Sequence, residues 1–465
     1  MFVNRTEELE ILENEYRKNS ANLIIIYGRR RIGKTRLIEE FLKNKPDFIY
    51  YLASDEKEEL QIKELKERIA RFLNDDFLLA QEIREWKTLF DYIKKVWPKE
   101  KKIVFVIDEF SYLIKNNKSI TSYIQNLWDS FFSKTRTKLI LCGSILKLMI
   151  ENVLGYGSPL YGRRTSDLLI EELKICDIAR FLNTDFENAL KFWSVLGGVP
   201  KYLEQVDEKN FNKFLAKILS KKSFFYREGY YLMTEELKDI ATYLNILRAL
   251  AEGNTKVNEI SNFTGIEQKK LYPYLEILQS INFVRKEEPI FGKRRMLFYI
   301  NDNFLDFWFR FIHKNRSEIE LEMFDTGKIK NEINSFIGKK FELFCRSCLN
   351  LLIDKNFTKI GKQWGRIKGL PKGENTYEID ILAINEKTKE ILACECKWQS
   401  RVNAEKVCAE LLEKLSHVDW HKNERRESLA IFAKSFSKRI ESFEGRKVYC
   451  FDLRDMERVV KKSQT

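Results

Sequence analysis

The chain has 465 residues, 44% of them hydrophobic, with a formal charge of +13 and a pI near 9.1. That length suits roughly three or four domains; the composition excludes a disordered chain, and apolar runs as short as Leu23–Tyr27 exclude a membrane-spanning helix. The basic balance favours a polyanionic partner, nucleic acid before membrane.

The eight cysteines are scattered, and the opening residues carry no basic stretch followed by an apolar one. Both features point to a reducing, cytoplasmic setting. From the N-terminal side, the first strong signal is NLIIIYGRRRIGKT, Asn22–Thr35. Its apolar half reads as a buried parallel strand, and its second half fits the phosphate-loop pattern at Gly28, Gly33, Lys34 and Thr35 before a helical stretch. The backbone from Gly28 through Arg29, Arg30, Arg31, Ile32 and Gly33 to Arg36 is expected to line the phosphates of ATP. The side chains of Arg29–Arg31 are expected to point to solvent. Lys34 would neutralise β/γ oxygens, and the Thr35 hydroxyl would ligate Mg²⁺.

KKIVFVIDEF, Lys101–Phe110, is a second apolar strand, ending in Asp108 and Glu109. At the C-terminal end of a strand in an open α/β sheet, Asp108 would hold Mg²⁺ through water and Glu109 would act as general base. A third strand ends at Ser144, where a γ-phosphate sensor would sit. Arg163 and Arg164 follow in the loop SPLYGRRTS, either as an arginine finger or as a plain basic surface loop.

Residues 1–230 resemble the archaeal ATPase family of the AAA+/STAND class of P-loop NTPases, through FVNRTEEL, GRRRIGKT, FVIDEFSYL, LILCGS, YGRR and GGVPKYL. The resemblance implies an adenine pocket bordered by Val3 and Arg5. It also implies a helical lid whose Pro200 lies near the nucleotide, and possible homo-oligomers. The opening motif departs from the family in carrying Asn4 before its arginine.

From about Glu235 three helical patterns and a hairpin read as a winged helix-turn-helix. Gln268, Lys269 and Lys270 open its third helix, where base edges would be met, and Lys293, Arg294 and Arg295 sit on the wing, where phosphates would be met. The alternative is a structural arm. DNFLDFWFRFI, Asp302–Ile312, is expected to dock on another domain.

The last segment begins with a helix over Gly338–Ile353 that carries Glu342 on the edge of its apolar face. YEIDILAIN, Tyr377–Asn385, alternates so that Glu378 and Asp380 share one side, with Ile379 and Ile381 on the other. A return strand, ILACECKWQ, places Glu395, Lys397 and Gln399 on one face. Converging acids repel, and a divalent cation relieves that repulsion. Asp380 and Glu395 would therefore hold Mg²⁺ or Mn²⁺, with Lys397 orienting the attacking water. The order E…D-x14-E-x-K resembles the PD-(D/E)xK nuclease superfamily, without the proline, since Ile379 precedes Asp380. A salt bridge on an edge strand is the bland alternative. Cys345 and Cys348 are read as buried free thiols, and His417 and His421 as surface or partly packed histidines, rather than as zinc ligands.

The expected fold class is α/β throughout most of the chain: a P-loop NTPase parallel sheet (1–172), a helical lid (173–234), a winged helix of α+β type (235–312), a linker (313–332) and a restriction-endonuclease-like α/β domain (333–465). Three functions stand: an ATPase acting on DNA through a metal-dependent nuclease, a nucleotide-controlled switch whose last domain binds nucleic acid or protein without cutting, or a motor or loader that uses DNA only as a track.

Overall fold

Apolar strands and amphipathic helices alternate through the first third of the chain, and in the computed structural model they build a five-stranded parallel sheet with helices on both faces. The structure describes residues 3–292, 296–367, 369, 371 and 374–462. The chain divides into two units, one of residues 1–173 with 199–204, the other of 174–198 with 205–465.

In the first unit, helix α1 (Thr6–Arg17) leads into strand β1 (Asn22–Tyr27), helix α2 (Lys34–Leu42) and strand β2 (Phe48–Leu52). Strands β3 (Val104–Asp108), β4 (Lys138–Gly143) and β5 (Ser166–Leu169) complete the sheet in the order β2-β3-β4-β1-β5. Being covered on both faces, β1 needs no polar alternation: Leu23 and Ile25 enter one core, Ile24 and Ile26 the other. Each such buried side chain stabilises the fold by about 1.5–3 kcal/mol relative to exposure.

The lid region does not stay in one unit. Val199–Glu204 groups with the five-stranded sheet, while the residues on either side belong to the second unit.

The second unit holds the winged helix: α3 (Ile240–Ala251), α4 (Val257–Thr264), α5 (Gln268–Ser280) and the antiparallel strands β6 (Val284–Glu287) and β7 (Leu297–Ile300). Lys293, Arg294 and Arg295 lie outside the described residues. The loop just before them is not a free wing tip. Phe291 stacks on Trp420, and its backbone N–H donates to Gln363 at 2.9 Å. The aromatic segment Asp302–Ile312 docks as expected: Phe307 and Phe311 both pack on Phe336.

Helix α6 runs over Lys330–Leu352, starting well before the expected Gly338. Ile333, Phe336 and Ile337 bury a further turn of its apolar face, and that burial outweighs the cost of a glycine inside a helix, about 1 kcal/mol. Another short helix, Arg316–Glu320, occupies part of the expected linker. Strands β8 (Lys359–Arg366), β9 (Thr376–Asn385) and β10 (Glu390–Lys397), helix α7 (Ala404–Ser416) and strands β11 (Arg426–Ala433) and β12 (Arg446–Phe451) follow. The sheet order is Ser442–Phe443, β12, β11, β10, β9, β8; β9 is antiparallel to both its neighbours, and β10, β11 and β12 are parallel.

Strict alternation fails in β9. Gly361 opposes Leu382 but Gln363 opposes Ile379, so Lys362 faces two residues, Asp380 and Ile381. This bulge turns Ile379 into the same core as Leu382 and Ile384, and sets Asp380 apart.

Candidate functional site: a phosphate loop and a carboxylate–lysine cluster

Gly28 allows β1 to turn away beside β5, since a Cβ there would lie 2.6 Å from the Ile170 carbonyl oxygen. Gly33 takes a left-handed φ of 94° just ahead of α2, a conformation that favours glycine. Lys34 is buried, and its ammonium donates to the Gly28 and Arg29 carbonyls, each at 3.0 Å. It is thereby held inside the loop it would serve.

At the end of β3, Asp108 is fully buried and its carboxylate is encircled. The Thr35 hydroxyl donates to it at 2.7 Å, the Tyr50 hydroxyl at 2.8 Å and the Glu109 backbone N–H at 2.8 Å. Burial first, then the Asp108 charge, raises the Tyr50 phenol, so it stays a donor. A hydroxyl and a carboxylate in contact, beside a loop of backbone N–H groups, are the donor set a hard cation with a polyphosphate requires. Mg²⁺ held there would neutralise charge on the transferring phosphate. Ser144, at the end of β4, donates to the Glu109 carboxylate, so the expected sensor and the expected base are joined.

Arg5 is buried and ties the opening motif to the loop, donating to the carbonyls of Ile32 at 3.3 Å and Glu171 at 2.7 Å. Val3 is half-buried nearby in sequence. Pro200 approaches the loop: its Cγ is 4.0 Å from where a Gly33 Cβ would stand.

The arginines of the loop are not pointing freely into water. Arg29 pairs with Glu172 at 2.8 Å and lies over the Tyr202 ring, and Arg30 bonds and stacks on Tyr112. The guanidinium heads lie over aromatic faces, where the ring's negative face attracts the cation. Arg31 and Ile32 complete the loop, Arg31 half-buried and Ile32 in the core, while Arg36 is exposed near Glu39. Arg163 is engaged by both oxygens of Asp129, at 2.7 and 2.9 Å, and Arg164 lies 3.5 Å from Asp167, which favours the surface reading of that loop.

In the last domain, the β9–β10 ladder runs as far as Ile381 opposite Cys394, with Asp380 and Glu395 the next residue on each strand. The Cys396 N–H donates to Asp380 at 2.8 Å. Burial raises the Asp380 carboxyl to about 7, helped by the charges of Glu342 and Glu395. Burial also raises Glu342, against the pull of Lys362.

Lysines dominate the rest of the cluster. Lys362 reaches Glu342 at 3.4 Å and Glu378 at 2.6 Å; Lys397 and Lys414 grip the two oxygens of Glu395 at 2.7 and 2.8 Å. Lys362 and Lys397 stay protonated: burial works against the charge, and the neighbouring glutamates outweigh it. Among the described residues no group of three or more His, Cys, Asp or Glu side chains is gathered for a metal. The pair Asp380 and Glu395 remains the candidate, since its mutual repulsion is what a cation relieves. All eight cysteines are free, and burial pushes the Cys345, Cys348, Cys394 and Cys396 thiols up. His417 lies against Tyr377 and His421 against Trp420.

Lys362, Lys414 and Tyr50 were not legible as site residues. The first two become neighbours only through the β9 bulge and the packing of α7. Tyr50 is one of two tyrosines in FIYYL, and only the β2–β3 pairing selects it.

Residues 2–206 match the model of an ATPase domain predominantly from Archaea. An uncharacterised protein of Methanocaldococcus jannaschii is 35% identical over 98% of this chain and 100% of its own length. The chain belongs to this family of predominantly archaeal ATPases. It is an ATP-binding protein of the P-loop ATPase type. A Pyrococcus abyssi protein described as ATP-binding is 23% identical over 63% of this chain and 93% of its own length. Among solved structures, a Walker-type ATPase of Pyrococcus abyssi covers 66% of this chain and 96% of its own, at 21% identity and a TM-score of 0.47. Residues 242–286 match a helix-turn-helix model described as a bacterial regulatory protein of the arsR family, and 308–412 a model of archaeal and bacterial proteins of unknown function. Among the described residues no helix is long and apolar enough to cross a membrane.

Proposed function

We propose that this ATPase hydrolyses ATP at the Lys34–Asp108 site and acts on DNA, with the C-terminal domain cleaving phosphodiester bonds. The observation that carries the nuclease part is the register of β9 and β10. It ends at Ile381 opposite Cys394, beside Asp380 and Glu395, and Lys397 donates to the Glu395 carboxylate. Asp380 and Glu395 would hold Mg²⁺ or Mn²⁺, which would stabilise charge developing on the phosphate. Lys397 would orient the incoming water. Gln268, Lys269 and Lys270 are all exposed at the start of α5, and that exposure supports DNA contact there.

At the nucleotide site, Lys34 would hold the β/γ oxygens, Thr35 would hold Mg²⁺ directly and Asp108 through water, and Glu109, once parted from Ser144, would take the proton of the attacking water.

A second reading has its own support. Lys362, Lys397 and Lys414 already neutralise the acids, which suits a domain that binds a phosphate backbone without cutting it, under the control of a nucleotide switch.

The test is cleavage of plasmid and branched DNA with Mg²⁺ or Mn²⁺, with and without ATP, by wild type, Asp380→Ala and Lys397→Ala. Cutting by wild type and not by the variants supports the nuclease. Cutting that survives both substitutions removes it, and DNA binding without any cutting favours the switch.

A further inference from the structure

A cleft of about 300 Å³ opens within the second unit, walled by β6 and β7, by the aromatic segment that follows them, and by α6, β8 and β9. Asp380 and Glu342 lie at one end of it, and Arg285 and Tyr299 of the winged helix line it too. The winged-helix hairpin and Asp380, one of the two acids proposed to hold a metal, thus share one cavity.

The cleft is lined by cations that are already fixed in place. Glu287, whose side chain is 9% exposed, holds Arg285 at 3.2 Å and Arg346 at 3.0 Å. Asp306 holds Arg310 at 2.6 Å and Lys340 at 2.8 Å. Both carboxylates stay ionised: burial alone would neutralise them, and the cations around each outweigh it. Two acids thus position four cations; over the whole lining six cations meet five acids, and burial pushes two of those acids, Glu342 and Asp380, towards their neutral forms, which leaves a positive excess in a half-enclosed space. A guanidinium bound through one edge keeps N–H donors for another partner. Lys339 is exposed on the same wall, with no ion pair among the described residues. The Arg285 guanidinium lies 4.9 Å over the Tyr299 ring, which makes a flat surface of the kind bases stack on.

Size decides what such a site takes. A volume of about 300 Å³ is at the lower end for small-ligand pockets, whereas a B-DNA major groove alone is about 12 Å wide. We propose that the cleft takes one unpaired nucleotide of a DNA strand. Its phosphate meets Arg310, Lys339 and Arg346, and its base lies against Arg285 and Tyr299. The domain therefore selects a single-stranded tail over a duplex. This deepens the DNA-acting reading above and rests on it for the choice of polymer.

The experiment measures binding by the full chain in EDTA, using a labelled blunt duplex and the same duplex with a single-stranded tail. Wild type should bind the tailed form about tenfold more tightly, a difference of about 1.4 kcal/mol. Lys339→Ala and Arg346→Ala should each remove most of that preference while leaving blunt-duplex affinity within about twofold. Should Arg346→Ala fail to fold, because Glu287 loses a partner, the exposed Lys339→Ala carries the test. Equal affinity of wild type for the two DNAs overturns the proposal. The same DNAs with Mn²⁺ separate the two readings: tail preference without cutting keeps the cleft and removes the nuclease, and cutting without tail preference does the reverse.

Discussion

Two carboxylate sites, one in each unit, are set up in opposite ways. Asp108 is encircled by neutral donors, two hydroxyls and a backbone N–H, so its negative charge is left for a cation. Glu395 and Glu342 are met by ammonium groups, and Asp380 is crowded by like charge. The first arrangement leaves a carboxylate that Mg²⁺ would find unpaired with any cation; the second already balances its charge and would have to part with a lysine or a proton for a cation to enter. Hydrogen bonding to neutral groups keeps a site available, whereas ion pairing fills it.

The largest test of this contrast is Lys34→Ala. Its ammonium is buried in the loop, and its loss should lower ATP turnover by at least about a hundredfold, corresponding to about 2.7 kcal/mol, as measured by phosphate release. Unchanged turnover would undo the account of the first site.

Gly28→Ala comes next. Its Cβ would press on the Ile170 carbonyl oxygen, so the first unit should lose about 1–3 kcal/mol, read from denaturant unfolding.

The second site is tested through pH. Asp380 has its carboxyl raised to about 7, above the ordinary value of about 3.9. A raised acid favours folding below the unfolded value and loses that contribution as pH climbs through the folded one. Wild type should therefore lose stability between about pH 4 and pH 7 through this group, and Asp380→Asn should flatten that part of the profile. At pH 8 the variant should melt a few degrees higher than wild type, at about 2–4 °C per kcal/mol. If the two profiles coincide, Asp380 is not under the strain described.

Tyr50→Phe removes one donor from Asp108 and should weaken apparent Mg-ATP affinity by about fivefold, corresponding to about 1 kcal/mol for one hydrogen bond. Smallest is Lys269→Ala with Lys270→Ala, which should reduce discrimination between DNA sequences by about threefold in competition binding while leaving ATP turnover alone.

The nucleotide site was legible because its chemistry is local. Gly28 to Thr35 are consecutive, and Asp108 ends a strand whose apolar run is unmistakable. The C-terminal cluster was legible only in part. Asp380, Glu395 and Lys397 follow from a hairpin and period-two geometry. The bulge at Asp380, which breaks that period, depends on how β8 packs and leaves no mark in the sequence. Lys362 and Lys414 are two among 82 basic residues, and only the tertiary fold distinguishes them. The long start of α6 was hidden by Gly338, a helix breaker by propensity that packing overrides.

The six residues Val199–Glu204 have a consequence for how this protein is taken apart. Because they belong with the nucleotide-binding sheet and both flanks do not, the polypeptide crosses the boundary three times, after Leu173, Gly198 and Glu204. A fragment that stops at Leu173 lacks Pro200 and Tyr202, two side chains that lie against the phosphate loop. A protease nick at any single crossing leaves the halves covalently joined, so excising the ATP-binding half intact requires three breaks and not one.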